Sequence, residues 1–452
     1  MTRKQLTKLA VCAAVIFFLG TLFPYAYGAA DNGLKKLRTF VNILEYVKEN
    51  YVEEKTSDEL ITGAIHGVVD ELDDFSQYLE PKDYKALKSD TRGDFGGLGI
   101  RLNKVDGFIT VVTPMPNTPA FRAGVMPGDR ILTVDGKEVS SMALDEAVEL
   151  MRGKEGTKVT VTMSRKNEKT GEYETLPEFH FKREKIVPEV VYFRSLPDHI
   201  GYIYLVDFSG HSAEAMQTAL TELKKQGMKK LVLDLRFNPG GLLPMSVDIA
   251  KLFMGNHQMV VYTRGRKPEF YEEYRTDSEA AYPDIPLVVL INQGSASASE
   301  ILSGALQDND RAVIVGQRSF GKASVQQLLP LNSGAGLKLT IAKYYTPKGR
   351  LIQRNYRDKT KADEGGIFPD VEVKIEPQDE AKIFMQYNSV VYTPGKALPE
   401  TQFTEKDPVL EKAVEILKEG TDKVIAQKAA KEQEAAKQKE TEKAVADQTD
   451  NK

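Results

Sequence analysis

Two short turns carry the side chains most able to do chemistry in this 452-residue chain. The first, Asn292-Gln293-Gly294-Ser295-Ala296-Ser297-Ala298-Ser299-Glu300-Ile301, follows an apolar run and opens a helical pattern. Its small residues leave space for a substrate, and Ser297 stands at the positive end of the helix dipole, which favours the negative charge that develops in acyl transfer. Ser297-x-x-Glu300 is also a capping box, and taken alone that is the simpler reading. The second turn, Ser319-Phe320-Gly321-Lys322-Ala323-Ser324-Val325-Gln326, sets a lysine where the chain enters an apolar strand. Burial there disfavours the ammonium form, and a neutral amine can take a serine's proton; an ordinary surface-strand lysine is the alternative. Gln326, four residues on, falls on the same strand face as Lys322, so its amide can hold the amine. A third segment, Leu233-Asp234-Leu235-Arg236-Phe237-Asn238-Pro239-Gly240-Gly241-Leu242, ends a strand in a glycine turn whose N–H groups can approach a substrate oxygen closely. Tight strand-to-helix turns of this sort also occur in many α/β proteins.

Composition removes the competing chemistries. The one cysteine, Cys12, lies in an apolar N-terminal stretch, which leaves no disulfide, no cysteine zinc site and no mature thiol nucleophile. The five histidines, His66, His180, His199, His211 and His257, show neither metal spacing nor a local triad signature, so no metal or cofactor is expected. Lys plus Arg is 61 against 65 Asp plus Glu, a formal charge of -4 with no basic field for nucleic acid.

The elements that must position these turns follow from the hydrophobic patterning. Arg3, Lys4 and Lys8 precede an apolar run from Leu9 to Leu22, with small residues from Ala26 to Ala30, so residues 1–30 read as an export signal or an uncleaved N-terminal anchor. Both readings place the body outside the cytoplasm, periplasmic or otherwise extracytoplasmic, and cleavage would leave a charge of -7 by removing three cations. Residues 31–90 carry apolar positions at three- and four-residue steps and read as a small helical layer. Residues 91–168 read as a β-rich module around one helix, 169–199 as a linker and strand, and 200–376 as alternating strands and helices that call for a largely parallel sheet. A further helical region occupies 377–420. The Lys/Glu/Ala/Gln-rich stretch 421–452 has few large apolar residues and reads as a solvated helix or disorder.

Within the β-rich module, Phe95-Gly96-Gly97-Leu98-Gly99-Ile100 can converge backbone N–H groups on an anion beside a strand edge. The run Pro119-Ala120-Phe121-Arg122-Ala123-Gly124-Val125-Met126-Pro127-Gly128-Asp129-Arg130-Ile131-Leu132-Thr133-Val134-Asp135-Gly136 resembles the signature of bacterial PDZ domains. That resemblance implies that Gly97, Leu98 and Gly99 bind a peptide's C-terminal carboxylate; a PDZ-shaped packing module without a ligand is the alternative. In order, the PDZ-like module, D-L-R-x-N-P-G-G, G-S-A-S-A-S-E and S-F-G-K-x-S-V-Q resemble the carboxy-terminal processing, or tail-specific, proteases of the S41 serine peptidase family over residues 34–420.

The resemblance implies a multidomain α/β fold: a ClpP/crotonase-like protease core, a PDZ domain, and flanking N- and C-terminal helices. It implies Ser297 as nucleophile, Lys322 as general base, Gln326 completing the arrangement, and an oxyanion hole from the N–H of Ala298 and of Gly240 or Gly241. It also makes Arg152 a candidate gating link between clamp and active site. Implied partners are protein substrates with free, apolar C-termini, a regulatory adaptor, and further copies of the chain in a homodimer or higher oligomer. Phe237 departs from the family, which often has a polar residue there. The competing reading is a noncatalytic PDZ adaptor or scaffold on an inactive protease core.

Overall fold

The computed structural model describes residues 33–92, 95–167, 169–354, 364–389, 398, 403–431, 433, 434 and 437. The expected signal or anchor at 1–30 lies outside the described residues. The chain divides into two units, Met1–Tyr78 and Leu79–Lys452.

In the first unit one helix covers 33–50 and a second runs Ser57–Asp70. Thr56 and Glu59 satisfy each other's orphan donors at the start of the second: the Thr56 N–H donates to Glu59 Oε2 at 2.8 Å and the Glu59 N–H to Thr56 Oγ1 at 3.2 Å. The expected apolar stripe forms but is not buried. Leu37, Phe40, Val41, Ile61, Val68 and Leu72 stay exposed, and only Val69 of the second helix is buried.

In the second unit the β-rich module is built on antiparallel strands Ile100–Val105, Phe108–Pro114, Arg130–Val134 and Lys158–Lys166, with helix Leu144–Met151 closing a core around Ile109, Ile131, Val161 and Met163. The module runs past the expected boundary at 168. Strand Phe179–Lys182 pairs with Lys158–Val161, and Glu184–Ile186 pairs with Phe95–Gly97, so the segment read as a linker supplies edge strands to the module. Those strands are too short to register as alternation in the sequence.

The second half of the unit is a six-stranded sheet in the order Val191–Leu196, Ile200–Leu205, Lys230–Asp234, Leu287–Ile291, Val313–Gly316, Val371–Glu372. The first pair is antiparallel and the rest parallel. The sheet's first strand therefore comes from the segment read as a linker and strand. The missed hairpin turns through Asp198 and His199, both at positive φ, without the glycine that marks such turns. Alternate strand residues feed two cores. Leu231, Leu233 and Val289 meet helices Ser212–Lys225, Leu243–Lys251 and Ala298–Asp308, whereas Val232, Val288 and Leu290 meet helices Pro377–Ser389 and Pro408–Glu419. A second, antiparallel sheet includes Met259–Gly265, Glu272–Arg275, Ser324–Pro330 and Gly336–Tyr345.

Asp234 and Arg236 of the D-L-R segment tie the C-terminal helices to this sheet. The Arg236 guanidinium, 2% exposed, lies 2.6 Å from Asp234 and 2.7 Å from Asp407, and Asp407 caps helix Pro408–Glu419 by accepting the Leu410 N–H at 3.0 Å. Tyr202 donates to Asp234 at 2.7 Å from the neighbouring strand. Burial raises the Asp407 carboxyl, but the Arg236 charge and the helix amides outweigh it and hold the group below its usual range.

The tail also departs from expectation. Residues 421–431 are helical; Thr421 is buried, and Val424 and Ile425 pack on the second core. Lys428 donates to the Gln307 carbonyl at 2.8 Å, an ammonium at the negative end of helix Ala298–Asp308. Val424, Ile425 and Lys428 share one helical face, which an average over composition hides.

Replacing Arg236 with Ala leaves two buried carboxylates facing each other and is expected to destabilise the core by about 3–5 kcal/mol. Chemical denaturation of the variant beside wild type measures this, and a midpoint equal to wild type would contradict the clasp. Because the Asp407 carboxyl is held low, its contribution is present above the unfolded value of about 3.9 and is lost as the pH falls through the folded value.

Candidate active site

Strand Leu287–Ile291 delivers the chain to a turn that leaves no freedom at Ser297. The Asn292 N–H donates to Ser295 Oγ at 2.9 Å, and that hydroxyl donates to the Leu235 carbonyl at 2.8 Å. Ser297 then adopts φ 54°, ψ -113°, a conformation that costs a non-glycine residue on the order of 1–3 kcal/mol and persists only because its surroundings hold it. The serine is half-buried between buried Ala296 and Ala298. The first-turn N–H groups of Glu300 and Ile301 go to the Ser297 carbonyl at 2.9 and 3.0 Å, so the hydroxyl is not the helix's cap. It contacts instead the buried phenol of Tyr344, which donates in turn to the Lys322 carbonyl.

Glu300 does more than close a capping box. Its carboxylate is fully buried and accepts four hydrogen bonds: Oε2 from the Ser297 N–H at 2.9 Å and the Lys322 N–H at 2.8 Å, Oε1 from the Ser319 hydroxyl at 2.5 Å and the Gly321 N–H at 2.6 Å. One side chain thus fastens the serine's backbone to the lysine's. Burial pushes the carboxyl up to about 7 in spite of these donors.

Lys322 is half-buried at the mouth of strand Ser324–Pro330. Burial, and after it the like charge of Lys338, lower its amine below the ordinary lysine value, against the attraction of Glu300. Gln326, also half-buried, lies opposite Thr340, with a β-bulge in the pairing just before it. Tyr344 and Lys338 carry no signal in the sequence, where they fall in an unremarkable alternating strand, and Glu300 reads there only as a cap.

The glycine turn stands directly against the serine. A Cβ on Gly240, which has φ 103°, would fall 2.7 Å from Ser297 Cβ and 2.9 Å from the Ala298 nitrogen. The Gly240 N–H is taken by Asn238 Oδ1 at 2.9 Å. Of the two glycines expected at an oxyanion hole, Gly241 is therefore the one with an N–H to offer. The N–H groups of Gly241 and Ala298 have no hydrogen-bond partner among the described residues. Phe237, at φ 62°, donates its N–H to Asn292 Oδ1 at 2.9 Å, and its ring packs 4.7 Å from that of Phe384.

In the PDZ-like module, Gly97, Leu98, Gly99, Leu102, Met151 and Arg152 line a pocket of about 240 Å³. The Leu98 and Gly99 carbonyls turn inward to the N–H groups of Ala120 and Met115, at 3.0 and 2.7 Å. The N–H groups of Leu98 and Gly99 make no hydrogen bond among the described residues, which is the arrangement an anion nest requires. The structure places Arg152 in this pocket's wall, directly after helix Leu144–Met151.

Comparison with known proteins meets this geometry at the motifs. A family model for peptidase family S41 matches residues 199–373, and one for a PDZ domain matches residues 96–171. A carboxy-terminal-processing protease of Bartonella bacilliformis is 38% identical over 378 residues, covering 82% of this chain and 83% of its own. The chain belongs to peptidase family S41. A carboxyl-terminal-processing protease of Picosynechococcus sp. is 40% identical over 403 residues, covering 83% of this S41 chain and 92% of its own. The solved structure of a photosystem II D1 C-terminal processing protease is similar at 31% identity and a TM-score of 0.42, over 74% of this chain and 92% of that one. This S41 chain is a serine peptidase with a multidomain α/β fold and a PDZ domain.

Glu300→Gln puts an amide donor where two other donors already point, so a loss of about 1–3 kcal/mol in stability is expected, together with a more than tenfold loss of peptidase activity. The sign of the pH effect follows from the raised carboxyl. Its contribution to stability is full below the ordinary glutamate value and is lost as pH rises through about 7. The stability gap between wild type and Glu300→Gln should therefore narrow between about pH 5 and about pH 8. Thermal unfolding of both proteins across that range measures it, and a gap that widens would contradict the assignment.

Proposed function

We propose that this chain is an exported serine endopeptidase that takes hold of a protein's C-terminal tail in its PDZ domain and cleaves upstream by a Ser–Lys mechanism. The observation that carries the reading is the joint suspension of Ser297 and Lys322 from Glu300, with Lys322 half-buried and its amine lowered mainly by that burial. Ser297 Oγ attacks the peptide carbonyl and gives its proton to Lys322 Nζ, with Gln326 steadying the amine. The oxyanion forms against the N–H groups of Ala298 and Gly241. Lys322 then passes the proton to the leaving amine, and water hydrolyses the acyl-enzyme with the lysine again as base. No step needs a metal or a cofactor.

On the binding side, the unspent N–H groups of Leu98 and Gly99 receive the substrate's terminal carboxylate, and the strand after them accepts the tail as an added strand, its apolar side chain entering the pocket. Arg152, in that pocket's wall, would sense the occupied clamp. Protein tails with a free, apolar C-terminus are the substrates. A regulatory adaptor and a homodimer or higher oligomer are the partners of this reading, the open apolar sides of the first unit's helices favouring a second copy. Residues 1–30 direct the body to an extracytoplasmic, periplasmic location. No helix among the described residues is long and apolar enough to cross a membrane.

Ser297→Ala and Lys322→Ala should each reduce cleavage of an unstructured protein with an apolar C-terminus by about a thousandfold or more, the scale expected when a nucleophile or its base is removed. Cleavage by both variants at the wild-type rate would defeat the Ser–Lys mechanism. Amidating the substrate's C-terminus should slow cleavage by wild type, and equal rates for free and amidated tails would remove carboxylate capture.

A further inference from the structure

The residue that leads into the glycine turn is poorly suited to its own backbone. Phe237 stands at φ 62°, in the left-handed region that glycine or asparagine takes at least cost and a bulky side chain rarely adopts. Its surroundings hold it there. Asn292 Oδ1 accepts the N–H groups of Phe237 and Gly294 at 2.9 and 3.0 Å, and Asn292 Nδ2 donates to Glu380 at 2.8 Å. A Cβ on Gly294 would fall 2.9 Å from Phe237 Cα, so the serine's turn and the glycine turn touch at this point. Glu380 and Phe384, four residues apart on helix Pro377–Ser389, share one helical face, and the Phe384 ring meets that of Phe237 at 4.7 Å and 48°.

Neither ring belongs to the two cores on either side of the parallel sheet. Phe237 is half-buried and Phe384 is 41% exposed, so the pair makes an apolar shelf that is partly open to solvent. It lies beside the serine. The Ala296 N–H donates to the Asn238 carbonyl at 3.0 Å, a bond between the residue before Ser297 and the residue after Phe237, and Gly240 abuts Ser297 itself.

We propose that Phe237, with Phe384, is the specificity-determining surface of the peptidase centre: it receives a large apolar side chain from the substrate residue that flanks the scissile bond. The inference rests on the Ser–Lys reading above and deepens it. Capture of a terminal carboxylate fixes one end of the tail but not which bond reaches Ser297, so selection at the bond needs contacts of its own. A peptide whose carbonyl oxygen lies against the Gly241 and Ala298 N–H groups passes close to the turn that presents Phe237. Aromatic faces there offer apolar area and ask for no hydrogen bond in return. Asparagine or glycine at 237 would keep the N–H bond to Asn292 with less backbone strain, so what the strain retains is the ring. Anchoring the helix does not require that ring, because Glu380 and the buried Tyr387 already tie the same helix to the sheet.

The test uses peptides of one unstructured sequence with the same free apolar C-terminus, which differ only in the residue on one or the other side of the mapped scissile bond: Phe, Leu, Ala or Ser. Full-length wild type and Phe237→Asn are compared by kcat/KM on each. Wild type should favour Phe or Leu over Ser at one flanking position, and in Phe237→Asn that preference should shrink by about tenfold, with the Ser peptide changed less than about twofold. Phe237→Tyr should keep the preference. No preference in wild type, an unchanged preference in Phe237→Asn, or the same proportional loss for every peptide overturns the proposal. If thermal unfolding shows Phe237→Asn to be unfolded, Phe384→Ala, which leaves the turn's backbone as it is, takes its place with the same outcomes. Ser297→Ala assayed alongside separates the two readings: wild-type cleavage by that variant defeats the Ser–Lys mechanism, while the preference ratio still decides the role of Phe237.

Discussion

A single buried carboxylate accepts hydrogen bonds from both halves of the candidate active site, and the remaining geometry follows from it. Ser297 and Lys322 lie on separate elements, one at the start of a core helix and the other on a turn leading into the second sheet. Neither segment encodes its distance from the other. Glu300 supplies that distance through the backbone amides of the two residues. Four donors on one carboxylate also explain how a charge-bearing group is tolerated where the solvent is excluded.

The arrangement carries an internal conflict that the surroundings resolve. An acid near a lysine base stabilises the protonated, inactive base, while burial of both groups acts the other way on each. The result is a carboxyl raised towards neutrality and an amine lowered from its usual range, two shifts with one principal cause, desolvation. The glycine turn beside Ser297 follows a similar division of labour. Asn238 occupies the Gly240 N–H and anchors the turn to the Leu205 carbonyl, and Gly240 lacks the side chain that would collide with Ser297. The next residue, Gly241, keeps its own N–H unspent.

Much of this geometry is legible in the sequence because the turns that carry Ser297 and Lys322 are contiguous motifs bounded by strands with strong apolar runs. The parallel sheet, the β-rich module and the helix after Ser297 follow from periodicity alone. Legibility failed wherever the determining contact was distant in the chain. Glu300 reads as a local cap until Ser319, Gly321 and Lys322 are brought to it. Asp407 reads as an ordinary helix start until Arg236, in the turn after strand Lys230–Asp234, is seen beside it. The hairpin through Asp198 and His199 carries no glycine, and the module's last strands are too short to show alternation. The helix at 421–431 is anchored by Val424, Ile425 and Lys428, and its lysine- and glutamate-rich surroundings conceal them.

The clasp between Arg236 and Asp407 also has a consequence in time. The strand that leads into the glycine turn is followed by a charge, Arg236, whose partner lies far along the chain, and the helix that Ser297 precedes has its far end held by Lys428. While the chain is being synthesised, the PDZ domain and most of the protease sheet emerge before either partner does. Until then Arg236 has only Asp234, and the carbonyl end of the serine's helix lacks its ammonium. The supports of the candidate site are thus completed late in the chain, so that a truncated or still-growing chain would carry the motif without them.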